Sequence, residues 1–207
     1  MRLTVLLVRP LARALDWGPL LAVLAAGLST SAIVEPRTGS ALLVLRMIAA
    51  LTGGAAAFAL VDPMDAGTRA APVGRGRRQW IRCGLALGAA TGIGGGALVV
   101  VANRVPTPLP VGGLAVEMAL LTAIGLAGGA VSVRSAPGRA AALGGLFTVA
   151  AVVGASLLLP DHYTPWTGPG DARWDHVHHL LAGALAVPVL VLALANREGV
   201  RGLRRRG

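Results

Sequence analysis

Apolar positions along this chain do not alternate with polar ones at the two-residue period of a half-buried strand. They run almost unbroken for about 18 to 22 residues at a time, at 17–34, 41–61, 81–102, 112–133, 140–159 and 179–196. Each run is long enough for one helix to cross a bilayer, which takes roughly 17–25 residues. Proline and glycine punctuate the boundaries, at Pro36, Pro63, Pro106, Pro108, Pro137-Gly138 and 165–170. No connection between runs is long enough to fold as a soluble domain. The pattern predicts an all-α polytopic membrane protein, one transmembrane domain over 1–207 with six transmembrane helices.

The first 16 residues follow a different rule. The apolar run at 3–8 is ended by Pro10, too short for the h-region of a signal peptide, which needs about 7–15 residues. At about 100° per residue, Arg2, Arg9, Arg13 and Asp16 gather within about 60° of one another. Leu6, Leu7, Leu11 and Leu15 lie elsewhere around the circle. An N-terminal interfacial amphipathic helix over 1–16 is expected, kinked or initiated near Pro10, with Trp17 anchoring the turn into the first span.

Composition adds exclusions. The 207 residues are 55% hydrophobic and 14% charged, against about 25% charged in soluble domains. All 19 basic residues are arginine. Without lysine the chain has no P-loop phosphate cradle, no Schiff-base lysine and no lysine general base. With Cys83 as its single cysteine it has no intrachain disulfide and no cysteine-based zinc site. No serine–histidine–aspartate set or pair of intramembrane acids falls within the spans, so no catalytic residue and no cofactor is expected.

Charge then sets orientation. Fifteen of the 19 arginines flank the odd-numbered side of the spans: three before span one, five around 69–82, Arg134, Arg139, and five from Arg197 on. Arg37, Arg104 and Arg173 lie on the other side and Arg46 lies inside a span. The positive-inside bias therefore predicts both termini in the cytoplasm, in the cell membrane, with 197–207 a basic cytoplasmic tail. The net charge of +10 would suit nucleic acid in a soluble protein, but these arginines bracket spans and meet anionic headgroups. The bilayer is the expected partner, and nucleic acid is not.

Three features inside or beside the spans carry candidate chemistry. Gly84, Gly88, Gly92 and Gly96 stand four apart in span three, with Gly125 and Gly129 in span four and Gly53-Gly54 in span two. Small residues in register let helices approach closely, so the series is expected to pack against another helix. Arg46 and Glu117 each lie five residues into a span entered from the outer side, about 7–8 Å deep at 1.5 Å per residue. They form an intramembrane ion pair or snorkel separately to the surface; the sequence allows both. Before span six, Asp175, His176 and His179 have spacings that put metal-ligand types on one helical face, but without a recognised ligand frame. Tyr163, Trp166 and Trp174 there read more simply as an aromatic belt. Pro188 is expected to kink span six.

The most individual stretch is Leu60-Val61-Asp62-Pro63-Met64-Asp65, followed by Ala71-Pro72-Val73-Gly74-Arg75-Gly76-Arg77-Arg78-Gln79-Trp80-Ile81-Arg82. It resembles small permease subunits of actinobacterial ABC transporters, related to the ABC-2 type, which carry an Asp-Pro turn after span two, a proline, an arginine cluster and then span three. The resemblance covers about twenty residues in wording and most of the chain in topology. It implies an exporter's membrane subunit with a separate nucleotide-binding ATPase subunit and a coupling helix at 62–79, with Asp62, Pro63, Arg75, Arg77 and Arg78 as the coupling loop. There the arginine cluster contacts the ATPase or anchors to lipid; composition allows both. It also implies a homodimer or pairing with a second permease. The residues themselves leave two other readings open: a non-transporting six-helix scaffold, and an ion-coupled carrier using Glu117 and the histidines.

Overall fold

A computed structural model describes residues 2–33, 35, 37–61, 74–136 and 138–197. Among them every regular element is helical: α1 (Arg2–Arg13), α2 (Gly18–Ile33), α3 (Thr38–Ala56, continued by a 3₁₀ turn Ala57–Leu60), α4 (Arg75–Ala102), α5 (Val111–Ser132), α6 (Arg139–Leu157), α7 (Trp174–Ala184) and α8 (Ala186–Ala195). Five helical segments are long and apolar enough to cross a membrane: Thr38–Leu60, Gly76–Ala102, Val111–Ser132, Arg139–Leu157 and Trp174–Ala195. A sixth is reached only if the bent pair Leu7–Arg13 and Gly18–Ile33 is counted as one. The first apolar run yields a helix of 16 residues, Gly18–Ile33.

α3 and α5 form the centre and the other helices surround them. Buried residues make up 61% of the most apolar stretch of Thr38–Leu60 and 56% of that of Val111–Ser132, but only 17% of that of Trp174–Ala195. Outward-facing Leu43, Met47, Leu87, Phe147, Val187 and Leu190 are all exposed, an apolar surface far larger than a water-soluble monomer carries. Core packing joins Leu20 of α2, Leu45 and Ile48 of α3 and Ile93 and Val101 of α4. A second cluster joins Leu60, Ala86, Leu126 and Leu192.

Within α4 only Gly94, whose added Cβ would overlap Met118, makes room for a neighbour; the four-step series does not. Gly84, Gly88 and Gly92 face outward, and a Cβ added at any of them or at Gly96 would meet nothing within 4 Å. The close approach lies between α3, α5 and α6. A Cβ at Gly53 would stand 2.5 Å from the Leu121 carbonyl oxygen, and one at Gly145 the same distance from that of Gly125. A Cβ at Gly125 would overlap the Gly53 carbonyl. The four-step register in span three therefore does not pack within the protomer; its outward face is a consequence of α4 burying Cys83, Ala86, Ala90, Ile93 and Ala97 instead.

α1 is helical through Pro10 and meets α2 at a 73° bend. Trp17 fixes this turn by donating from Nε1 to the Ala12 carbonyl at 2.6 Å, and Leu11 and Leu15 are buried against the bundle. Asp16 at the turn pairs with Arg139, 2.7 Å away at the start of α6. At the other end of the chain the helix begins at Trp174, not His179, and is interrupted at Leu185. Pro188, which has no N–H for the Ala184 carbonyl, explains the interruption. The basic tail beyond Arg197 lies outside the described residues.

Candidate functional site

Glu117 lies one turn beyond Leu114 on the buried face of α5, and its carboxylate is 3% exposed. An ionised carboxylate so placed demands partners. Arg46, on the facing side of α3, supplies a two-pronged contact: Nε to Oε2 at 2.9 Å and Nη2 to Oε1 at 2.7 Å. The same guanidinium donates from Nη2 to the Thr167 carbonyl at 2.7 Å and from Nη1 to that of Trp166 at 3.4 Å. The Trp166 ring lies 5.5 Å from its centre, a cation–π distance. Of the two arrangements the sequence allows, the structure holds the ion pair.

The third member is His178. Its Nε2 is 3.0 Å from Glu117 Oε1, and its Nδ1 is 2.7 Å from the Trp174 carbonyl. A carbonyl only accepts, so Nδ1 carries a hydrogen. The Nε2–Oε1 contact closes the triad on the second carboxylate oxygen, the one that also receives Arg46 Nη2. Trp174 stacks on the imidazole with centroids 3.9 Å apart. Gly113 makes room for both: a Cβ there would be 2.5 Å from Trp174 Cζ2 and 2.8 Å from His178 Cδ2.

The segment between α6 and α7 delivers the Trp166 and Thr167 carbonyls. Trp166 is held by Nε1 donating to Ser156 Oγ at 2.8 Å. Arg173 braces the rest, reaching the Asp161 carbonyl at 2.9 Å and Asp171 Oδ2 at 2.7 Å. That hydrogen bond, with a second from the Arg173 backbone, holds the Asp171 carboxyl below the usual carboxylate range. The aromatic residues expected as a belt are thus divided: Tyr163 is exposed, while the Trp166 ring lies under Arg46 and Trp174 lies on His178.

The metal reading does not survive the geometry. Asp175, His176 and His179 are all exposed, and the His179 Nδ1 turns to the Asp175 backbone carbonyl at 2.7 Å. Among the described residues no three His, Cys, Asp or Glu side chains assemble to hold a metal ion. His178, the histidine between them, is the one that matters. A 4-3-4-3-4 spacing of Trp174, His178, Leu181, Leu185, Pro188 and Leu192 marks one helical face and would have picked it out.

The arginine-rich segment is placed in part. Asp62 and Pro63 lie outside the described residues, as does the Arg75 side chain. Residues 75–79 open α4, and the rest of the expected 62–79 coupling segment lies outside the described residues. Two side chains of this end close it onto α3: Arg82, 1% exposed, donates to the Val61 carbonyl, and Gln79 donates to that of Leu60 at 3.4 Å. A cation at carbonyls left open by a helix end is favourable. Arg77 remains on the surface with Trp80, beside the partly buried Arg78.

Comparison with protein-family models, with curated proteins and with solved structures gives no significant match.

Proposed function

We propose that this chain is the membrane-spanning permease subunit of an ATP-driven transporter of the ABC type, an exporter, with ATP hydrolysis supplied by a separate nucleotide-binding subunit. In this reading it crosses the cell membrane six times with both termini in the cytoplasm, and α1 lies along the inner leaflet. The observation that supports the reading best is the closure of the arginine-rich start of α4 onto the end of α3 through Arg82 and Gln79. A segment that passes force from an ATPase to the helices must be tied to them rigidly, and Arg77 and Trp80 of the same segment are exposed. The outward glycine face of α4 suits a homodimer or a second permease, since small residues allow close helix contact. Extraction in mild detergent followed by mass spectrometry tests the proposal. A P-loop ATPase recovered with the chain, and lost on Arg77→Glu, is the expected result; recovery without any P-loop protein across several detergents refutes it.

A second reading, an ion-coupled carrier, draws on the contact between Glu117 and His178 inside the bundle. Transport driven by a pH gradient in vesicles, abolished by Glu117→Gln, would favour it over the first; coupling unchanged in that variant removes it.

A further inference from the structure

A cavity of about 140 Å³ lies between α3, α4 and α5, directly beside the ion pair. Its floor is Leu45, Ala49, Leu114, Glu117 and Thr122, all buried. Its rim is Leu87, Thr91 and Ala115, all exposed, so it opens sideways on the outer surface of the bundle rather than at either end. For helices that span a bilayer, that opening faces the acyl chains.

One group in this cavity is unexplained by the fold. Thr122 is 1% exposed, yet its hydroxyl makes no hydrogen bond. Leaving such a group unpaired costs about 1–3 kcal/mol. Thr91, across the rim, is satisfied by its own helix through the Leu87 carbonyl at 2.9 Å, so it does not serve Thr122. Glu117 adds acceptor capacity: its Oε2 takes one hydrogen bond, from Arg46 Nε, and a carboxylate oxygen accepts two. Arg46 lines the cavity as well, its guanidinium engaged by Glu117, and the remaining lining is apolar. An apolar cavity of roughly 150 Å³ is large enough to bind benzene.

The geometry points to a lateral binding site for a small neutral amphiphile, an aromatic or short aliphatic alcohol or phenol, that enters from the bilayer. Its apolar body fills the space between Ala49, Leu114 and α4, and its hydroxyl pairs with Thr122 Oγ1 and donates to Glu117. The ligand is neutral: a cationic head would stand against the Arg46 guanidinium and an anionic one against the Glu117 carboxylate, both of which line the cavity. The site is a property of this chain alone and does not depend on an ATPase partner.

The test uses the full chain in phosphatidylcholine nanodiscs, photolabelled with a trifluoromethyl-diazirinyl benzyl alcohol and mapped by mass spectrometry. Saturable labelling of the Leu87–Leu98 and Leu114–Thr122 regions, competed by benzyl alcohol but at least threefold less well by toluene, is expected. Thr122→Val keeps the shape and removes the hydroxyl; a lost hydrogen bond of about 1 kcal/mol predicts roughly fivefold weaker labelling. Gly95→Leu fills the rim from a position where an added Cβ meets nothing within 4 Å; with helix content by circular dichroism equal to the parent's, it should abolish the saturable signal. Labelling that never saturates, that toluene competes as well as benzyl alcohol, or that persists in Gly95→Leu would overturn the site.

Discussion

Removing the Glu117 charge is the most informative single perturbation of this molecule. In Glu117→Gln the shape is kept, but Arg46 loses its counter-charge while its side chain stays 13% exposed. Breaking a buried ion pair from one side costs about 3–5 kcal/mol, because the remaining charge is left uncompensated. Here the Trp166 and Thr167 carbonyls and the Trp166 ring still face the guanidinium, so about 2–3 kcal/mol is expected, a factor of roughly 30 to 150 in the unfolding equilibrium. Arg46→Met should lose a similar amount by stranding the carboxylate. The double variant Arg46→Met/Glu117→Gln removes both charges and should fall short of the sum by about 2 kcal/mol, since contacting residues are not additive. Unfolding in mixed micelles titrated with sodium dodecyl sulfate measures all three. Single variants within about 0.5 kcal/mol of the parent, or a double variant equal to the sum, would show that the pair contributes nothing.

Other outcomes follow from the same packing. Gly125→Ala, whose new Cβ overlaps the Gly53 carbonyl, should cost at least about 1–3 kcal/mol of stability by overpacking, whereas Gly88→Ala, with open space in front of it, should be neutral or gain up to about 1 kcal/mol of helix propensity; the same titration separates them. Gly113→Ala should push His178 off Glu117 and reproduce the stability loss of His178→Ala, with little further loss when the two are combined. Asp171 has a depressed carboxyl in the folded chain, so its contribution is complete above the ordinary carboxylate range and is lost as pH falls through the lowered value. Proteolysis of the 158–173 segment should therefore accelerate only under strongly acidic conditions, and Asp171→Asn should be cut faster at neutral pH with that acid step removed.

Much of this was legible in the linear pattern. Apolar run length marks a spanning helix because an isolated helix in lipid must satisfy its backbone within itself, and five of the six expected runs are helices of crossing length. Arg46 and Glu117 stood out as charges in apolar surroundings, where a charge needs a partner. What a run cannot say is which of its faces meets protein and which meets lipid, since both are apolar and the usual inside–outside contrast vanishes. That is why a regular glycine series in α4 pointed to packing that occurs instead at Gly53, Gly125 and Gly145. It is also why the exposed His176 and His179 drew attention that belonged to His178. By itself the sequence determined the helical class, the segments long enough to span a bilayer and the two charges that must be neutralised. Only tertiary structure decided that they neutralise each other, that His178 joins them, and that a cavity opens beside them, because those facts depend on how helices rotate against one another, and rotation is set by packing rather than by hydropathy.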